Sequence, residues 1–178
     1  MTDPAADDLL ILVDSNDNAI GTSTKLDAHK RGLKHRAISA LVKNSSGEFL
    51  LHRRHAAKYH SGGLWTNACC SHPMPGEETA AAAHRRLQEE LGFDTDLTHQ
   101  FHFIYKVQFD NGLTEHEFDH VFVGYHDGNI APNSLEVKDY CFMKFCDKEI
   151  LNDSDFDYNV YYKEVDEIVY TENPMKRK

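Results

Sequence analysis

Two hydrophobic repeats run along this chain and divide it into elements. Phe101, Phe103, Tyr105, Val107 and Phe109 recur at every second position, the repeat of a strand with one inward face. Asp110-Asn111-Gly112 follows as a turn, and Thr114 to Tyr125 returns as the partner strand, with Glu115, Glu117, Asp119, Val121 and Val123 on one face. Shorter apolar runs predict strands at Leu9–Val13 and Ala37–Val42, the latter joined through Asn44-Ser45-Ser46-Gly47 to Phe49–Arg54 as a hairpin. Ala19–Thr24, beyond the turn residues Asp14–Asn18, reads as a further strand, and Asp139–Phe145 as the last one. Lys25–His35 is polar and interrupted by Gly32, which suits a loop or a short helical turn, and His55–Gly76 reads as a long loop. The best helix runs from Glu77 to Leu91, Ala-rich and stopped by Gly92. A second is expected over Tyr161–Tyr170. With no linker or repeat, residues 1–178 read as one α/β domain of the α+β kind with a mixed sheet. Residues 1–8 would be a flexible acidic lead-in and 174–178 a basic tail.

Composition narrows the class. The 178 residues are 40% hydrophobic and 27% charged, ordinary for a soluble globular chain with a real core. No apolar run approaches the roughly 18–20 residues that span a bilayer, and the acidic N-terminus is not a signal peptide. The four cysteines, Cys69, Cys70, Cys141 and Cys146, form two close pairs, and neighbours such as Cys69 and Cys70 rarely bridge. They are read as free thiols in a reducing cytoplasm, Cys141 and Cys146 as small buried hydrophobes. A net charge of −10 argues against nucleic acid or an anionic membrane as partner. An anionic substrate would then need local cations or a metal, and the 12 histidines favour a metal.

The candidate chemistry centres on Leu64 to Glu78, where Cys69, Cys70 and His72 precede the best helix. Thiolate and imidazole are the side chains that titrate near neutrality. Glu115 and Glu117, two apart on a strand, share a face and repel unless protonated, paired or metal-bound. Their usual fate is a solvated face, but Val121 and Val123 continue it inward, which favours a cation. His29, His35 and His72 could complete an open site for Zn, Mn or Mg, although a lone histidine is more often a surface or core residue. Glu89 and Glu90 at the helix end either oppose its dipole to hold Mg²⁺ or simply pair with Arg85 and Arg86. Lys25, Arg54, Lys58 and Arg86 are the cations available to an anion.

Trp65-Thr66-Asn67-Ala68-Cys69-Cys70-Ser71-His72-Pro73 resembles the W-T-N-x-x-C-x-H-P signature of type 1 isopentenyl-diphosphate Δ-isomerases. Gly32-Leu33-Lys34-His35-Arg36-Ala37 and Glu115-His116-Glu117 fit the same family in the same order, and the match runs from about Leu9 through Phe145. The resemblance implies a Nudix-like mixed sheet sandwiched between helices. It implies Cys70 as the catalytic thiol, Glu117 as the opposing acid/base and Tyr105 as the phenol that hydrogen-bonds Glu117. It implies His29, His35, His72, Glu115 and Glu117 as ligands of a divalent metal (Mn²⁺, Mg²⁺ or Zn²⁺), and Glu90 as ligand of a Mg²⁺ bridging to the diphosphate. Lys25, Arg54, Lys58 and Arg86 would contact the diphosphate or the site. The substrate would be a small isoprenyl diphosphate and the protein a cytoplasmic monomer.

Two departures stand out. A hydrolytic Nudix box reads G-x5-E-x7-R-E-U-x-E-E-x-G-U; here Glu77, Arg85, Glu89, Glu90, Gly92 and Phe93 fit, Ser71 replaces the first glycine, and Arg86 replaces the glutamate after the arginine. That favours isomerisation over pyrophosphate hydrolysis. The family also places a tryptophan near the C-terminus to face a carbocation; this chain has only Trp65, and Tyr162 aligns at that place. A zinc site built from the four cysteines is the weakest alternative, since adjacent cysteines lack ligand spacing.

Overall fold

A computed structural model describes residues 8–58, 61–109 and 111–144, and the backbone of 160–162 and 168–170. Its organising strand is β3 (His35–Lys43), nine residues whose apolar run is buried on both sides. A strand covered on both faces reads as a continuous hydrophobic run rather than an alternating one. β3 lies parallel to β8 (Thr114–Tyr125) from His35↔Glu117 to Lys43↔Tyr125, and antiparallel to β6 (Cys69–Ser71). β7 (Leu97–Gln108) completes that side as the antiparallel partner of β8, turning through Asn111 and Gly112 as expected. On the other side β4 (Phe49–Arg54) pairs β5 (Trp65–Asn67) and β9 (Val137–Met143). β1 (Leu9–Val13) pairs β2 (Ala19–Thr24) and touches β3 at Leu12↔His35.

Several expectations are corrected. β3 and β4 meet only at Lys43↔Phe49, so the expected hairpin diverges after its turn and the rest of the β3 ladder goes to β6 and β8. The long loop at 55–76 contains β5 and β6, three-residue strands held by bonds from neighbours rather than by a repeat of their own. Of the loop or short helical turn expected over Lys25–His35, the chain forms the helical one, α1 (Lys25–Arg31): Thr24 caps its start through Asp27 N–H, and Gly32 closes it at φ 62°. Instead of a helix over Tyr161–Tyr170, the backbone forms an antiparallel pair, β10 (Val160–Tyr162) and β11 (Ile168–Tyr170). Their β-branched and aromatic residues favour strands. Residues 1–7, Cys146 and the tail at 174–178 lie outside the described residues.

α2 (Thr79–Leu91) packs on one face of β3. Ala82, Ala83, Leu87 and Leu91 meet Ile38, Ala40, Val42 and Cys69 in the main core, all within 2% of full burial. Gly92 ends the helix at φ 72°, with the Ala131 carbonyl oxygen against the place where a Cβ would stand. A side chain there would meet both backbone strain and a collision. The opposite face of β3 is different: its lower half packs Leu41 against Val121, Phe101 and Phe103, and its upper half is polar.

Candidate active site

The polar end of that second face gathers side chains from four elements. α1 supplies His29, β3 supplies His35, the residue following β6 is His72, and β8 supplies Glu115 and Glu117. The ligand atoms of His29, His35, His72 and Glu115 lie within 4.8 Å of one another. Their rings stand 5.0–6.2 Å apart, from His35–His72 to His29–His72. His29 Nε2 approaches Glu115 Oε2 at 3.2 Å, and His72 Nε2 approaches Glu117 Oε1 at 3.0 Å. His35 donates from Nδ1 to the Leu33 carbonyl at 2.8 Å, so in the neutral ring the proton sits there, and the buried Nε2, 3.6 Å from Glu117 Oε1 and 3.7 Å from Glu115 Oε2, makes no hydrogen bond. That tautomer is the one a metal ligand needs. Burial pushes the His72 imidazolium down to about 3, more than Glu117 can offset, so that ring is neutral and ligand-competent; at His35 burial is outweighed by Glu117 and Glu115, which raise its imidazolium. Buried nitrogens beside carboxylate oxygens fit a divalent cation.

Glu117 joins this group to a second pair of residues. Tyr105 lies directly opposite on β7, and its hydroxyl donates to Glu117 Oε2 at 2.7 Å. Burial would raise the Glu117 carboxyl, but His35 and His72 hold it well below the usual carboxylate range. Asp119, one step along the same face, is pushed well above its usual range by burial and by the Glu117 charge. It accepts from Ser39 Oγ at 2.7 Å, and Ser39 Oγ lies 3.5 Å from Cys70 Sγ. Burial and Asp119 raise the Cys70 thiol to about 12, so it rests protonated.

The adjacent cysteines part company on β6. Cys70 pairs with Ser39 and shares its face, half-buried, whereas Cys69 pairs with Ala40 and is fully buried under α2. Neighbours on a strand point to opposite faces, and no cysteine zinc site forms from such a pair. Cys69 Sγ lies 3.7 Å from Glu90 Oε1, beside Arg86 and the buried His52. Glu90 therefore sits in a cluster of its own on the α2 side, and not among the histidines. Arg86 ion-pairs with both Glu89 and Glu90, while Glu77 holds Arg85 through two bonds of 2.7 and 2.8 Å. Lys58 and Arg86 share Glu136 at 2.6 and 3.7 Å. Lys25 is half-buried within electrostatic reach of Glu115, Arg54, Lys58 and Glu117; desolvation lowers its ammonium despite Glu115.

Comparison with known proteins gives the family. The NUDIX domain model matches residues 33–163. An isopentenyl-diphosphate Delta-isomerase 2 of Aromatoleum aromaticum is 54% identical over 134 residues, 75% of this chain and 71% of its own. One of Photorhabdus laumondii is 46% identical over 160 residues, 89% and 90% of the two chains. The chain belongs to the isopentenyl-diphosphate Delta-isomerase family. Its fold is Nudix: DR0079 from Deinococcus radiodurans superposes with a TM-score of 0.64 at 17% identity, over 78% of this chain and 84% of that one. A MutT protein from Methanosarcina mazei superposes at 0.56 and 20%, over 67% and 83%.

Sequence motifs locate the His/Glu group, Tyr105 and Cys70 on this one face. Tyr162 lies on β10, and its side chain is outside the described residues. Ser39, His52 and Glu136 join the two clusters without any sequence signal of a functional role; Asn67 joins them from within the Trp65–Pro73 signature. Single polar residues in short or apolar strands have no repeat of their own. No helix among the described residues is long and apolar enough to cross a membrane.

Proposed function

We propose that this protein interconverts isopentenyl and dimethylallyl diphosphate, with Cys70 and Glu117 as its two proton carriers. The terminal alkene carbon gains a proton, positive charge forms on the tertiary carbon, and the methylene beyond it loses a proton. The reaction is reversible, so each carrier serves as acid in one direction and base in the other. The observation that carries this reading is the shared face: a half-buried thiol and a carboxylate bonded to Tyr105, on two strands that both border β3.

Tyr105 fixes one Glu117 oxygen, leaving the carboxylate oriented by the phenol on one side and His72 on the other. Phe101, Phe103 and Tyr105 form a ladder of rings, 6.1 and 5.6 Å apart, along the same face. Such rings offer π-faces to a cation and keep water from trapping it as an alcohol. Lys25, Arg54 and Lys58 would bind the diphosphate, with Arg86 nearby. His29, His35, His72, Glu115 and Glu117 would hold a divalent metal of the Mn²⁺, Mg²⁺ or Zn²⁺ kind, and Glu90 a Mg²⁺ bound to the diphosphate. These metals would offset the site's negative charge, position the diphosphate and fix the ligand side chains.

Pyrophosphate hydrolysis is less well supported. A hydrolytic box carries a further glutamate after its arginine to complete the metal cluster, but here Arg86 stands at that position and pairs with Glu89. Incubation with isopentenyl diphosphate and Mg²⁺, following dimethylallyl diphosphate against released phosphate, decides between the two. Allylic product without phosphate supports isomerisation; phosphate alone, under every divalent metal tried, refutes it. We further infer a monomer acting in the cytoplasm, in keeping with the free thiols Cys69, Cys70 and Cys141. Sedimentation at assay concentration tests the monomer.

A further inference from the structure

Three polar groups converge on the Cys70 sulfur, and Asn67 is the nearest. Its Nδ2 donates to Sγ at 2.9 Å, while Ser39 Oγ lies at 3.5 Å and Thr66 Oγ1 at 3.7 Å. This contact depends on a break in the chain. In a continuous strand residues three apart point to opposite faces, and Asn67 would face away from Cys70. Here β5 ends at Asn67, β6 begins at Cys69, and Ala68 belongs to neither. The break is pinned: Ala68 is fully buried and its carbonyl accepts from His52 Nδ1 at 3.1 Å. Asn67 itself is 2% exposed, so packing holds the amide in place.

A buried N–H directed at sulfur stabilises the thiolate more than the thiol. It also limits the rotation of the Cys70 side chain. We propose that Asn67 is the positioning residue of the proton-carrying thiol: its amide N–H aims Sγ at the substrate and holds the charge that sulfur gains as its proton leaves. In that step the S–H bond breaks, a C–H bond forms at the terminal alkene carbon, and the S–H electron pair stays on sulfur. Asn67 neither gives nor takes a proton. The inference rests on the isomerase reading above and names a residue that the reading does not need.

Asn67→Asp and Asn67→Ala, made in the full chain, test it. Asp keeps the shape and an acceptor but loses the N–H donor. With isopentenyl diphosphate and Mg²⁺, kcat of both variants should fall about 10²-fold, the usual loss when one donor to a developing anion is removed. KM should stay within about threefold, because the diphosphate contacts are intact. Alkylation of Cys70 by iodoacetamide at fixed pH, read by peptide mass spectrometry, should slow in Asn67→Asp. A kcat for Asn67→Asp within about threefold of wild type overturns the proposal and leaves the isomerase reading standing. If wild type makes no dimethylallyl diphosphate, that reading fails instead, and the alkylation rates still decide whether Asn67 acts on the thiol. Thermal melts accompany both variants. If the Ala variant alone fails to fold, the Asp variant decides; if neither folds, Asn67 is structural and the proposal is overturned.

Discussion

Cys69 and Cys70 are neighbours in sequence, yet they belong to two different environments. Cys69 faces α2 among Ala40, Ala82 and Leu87, in the apolar core whose polar inclusions are Glu90, Arg86 and His52. Cys70 faces the other way, toward Ser39, Asn67 and the strand that carries Glu117 and Asp119. One face of the sheet is built to be stable, and the other concentrates groups that cost stability. A buried carboxylate pair, an imidazole nitrogen at His35 without a hydrogen bond and the buried carboxyl of Asp119 would each be unfavourable alone. They persist because the α2 face supplies the burial that offsets them. In this protein, activity and stability should therefore be separable by the face on which a substitution falls.

The largest expected break of that contrast is on the polar face. Cys70→Ala and Glu117→Gln should each lower isomerisation at least about 10³-fold, with the melting temperature of Cys70→Ala close to wild type. Circular dichroism melts beside steady-state assays check both halves of the statement. On the apolar face, Leu87→Ala should do the reverse. It should cost about 3 kcal/mol of stability through lost burial and a cavity under β3, while the folded fraction keeps its kcat. Chelation sharpens the contrast. Removing a divalent metal from the His29/His35/His72/Glu115/Glu117 group should abolish turnover and lower the melting temperature. The loss would be about 2.7 kcal/mol relative to metal at a hundredfold excess over its Kd. Titrating Mn²⁺, Mg²⁺ or Zn²⁺ back, followed by calorimetry, should restore both. The smallest effect belongs to Cys69→Ala: about 1 kcal/mol of stability and a kcat within about threefold, measured by urea unfolding and assay.

The sequence disclosed some of this plainly and hid the rest for physical reasons. The alternation through Phe101, Phe103 and Tyr105 and the Asn111-Gly112 turn announced β7 and β8, and with them the face shared by Glu115, Glu117 and Asp119. Local pattern misleads at β3. Ala37–Val42 is apolar without alternation, the mark of a strand buried on both faces, and so its true partner is the distant parallel β8 rather than the adjacent β4. α1 resembles a loop in sequence because its inward residues are only Ala28 and His29, although Thr24, Asp27 and Gly32 are cap signals. The site residues found by motif are those with long-range partners in His/Glu spacing. Ser39 and Asn67 act through a β6 pairing and a break at Ala68 that no local repeat encodes. The separation of Glu90 from the histidines is likewise a matter of which face α2 covers.

The most direct measurement follows the proton itself. Isopentenyl diphosphate and Mg²⁺ in D₂O, observed by NMR, should give dimethylallyl diphosphate carrying deuterium in a methyl group with wild type and with Cys69→Ala. Folded Cys70→Ala should give none on the same timescale. Deuterated product from Cys70→Ala at a rate near that of wild type, or its loss in folded Cys69→Ala, would contradict the assignment of the two faces.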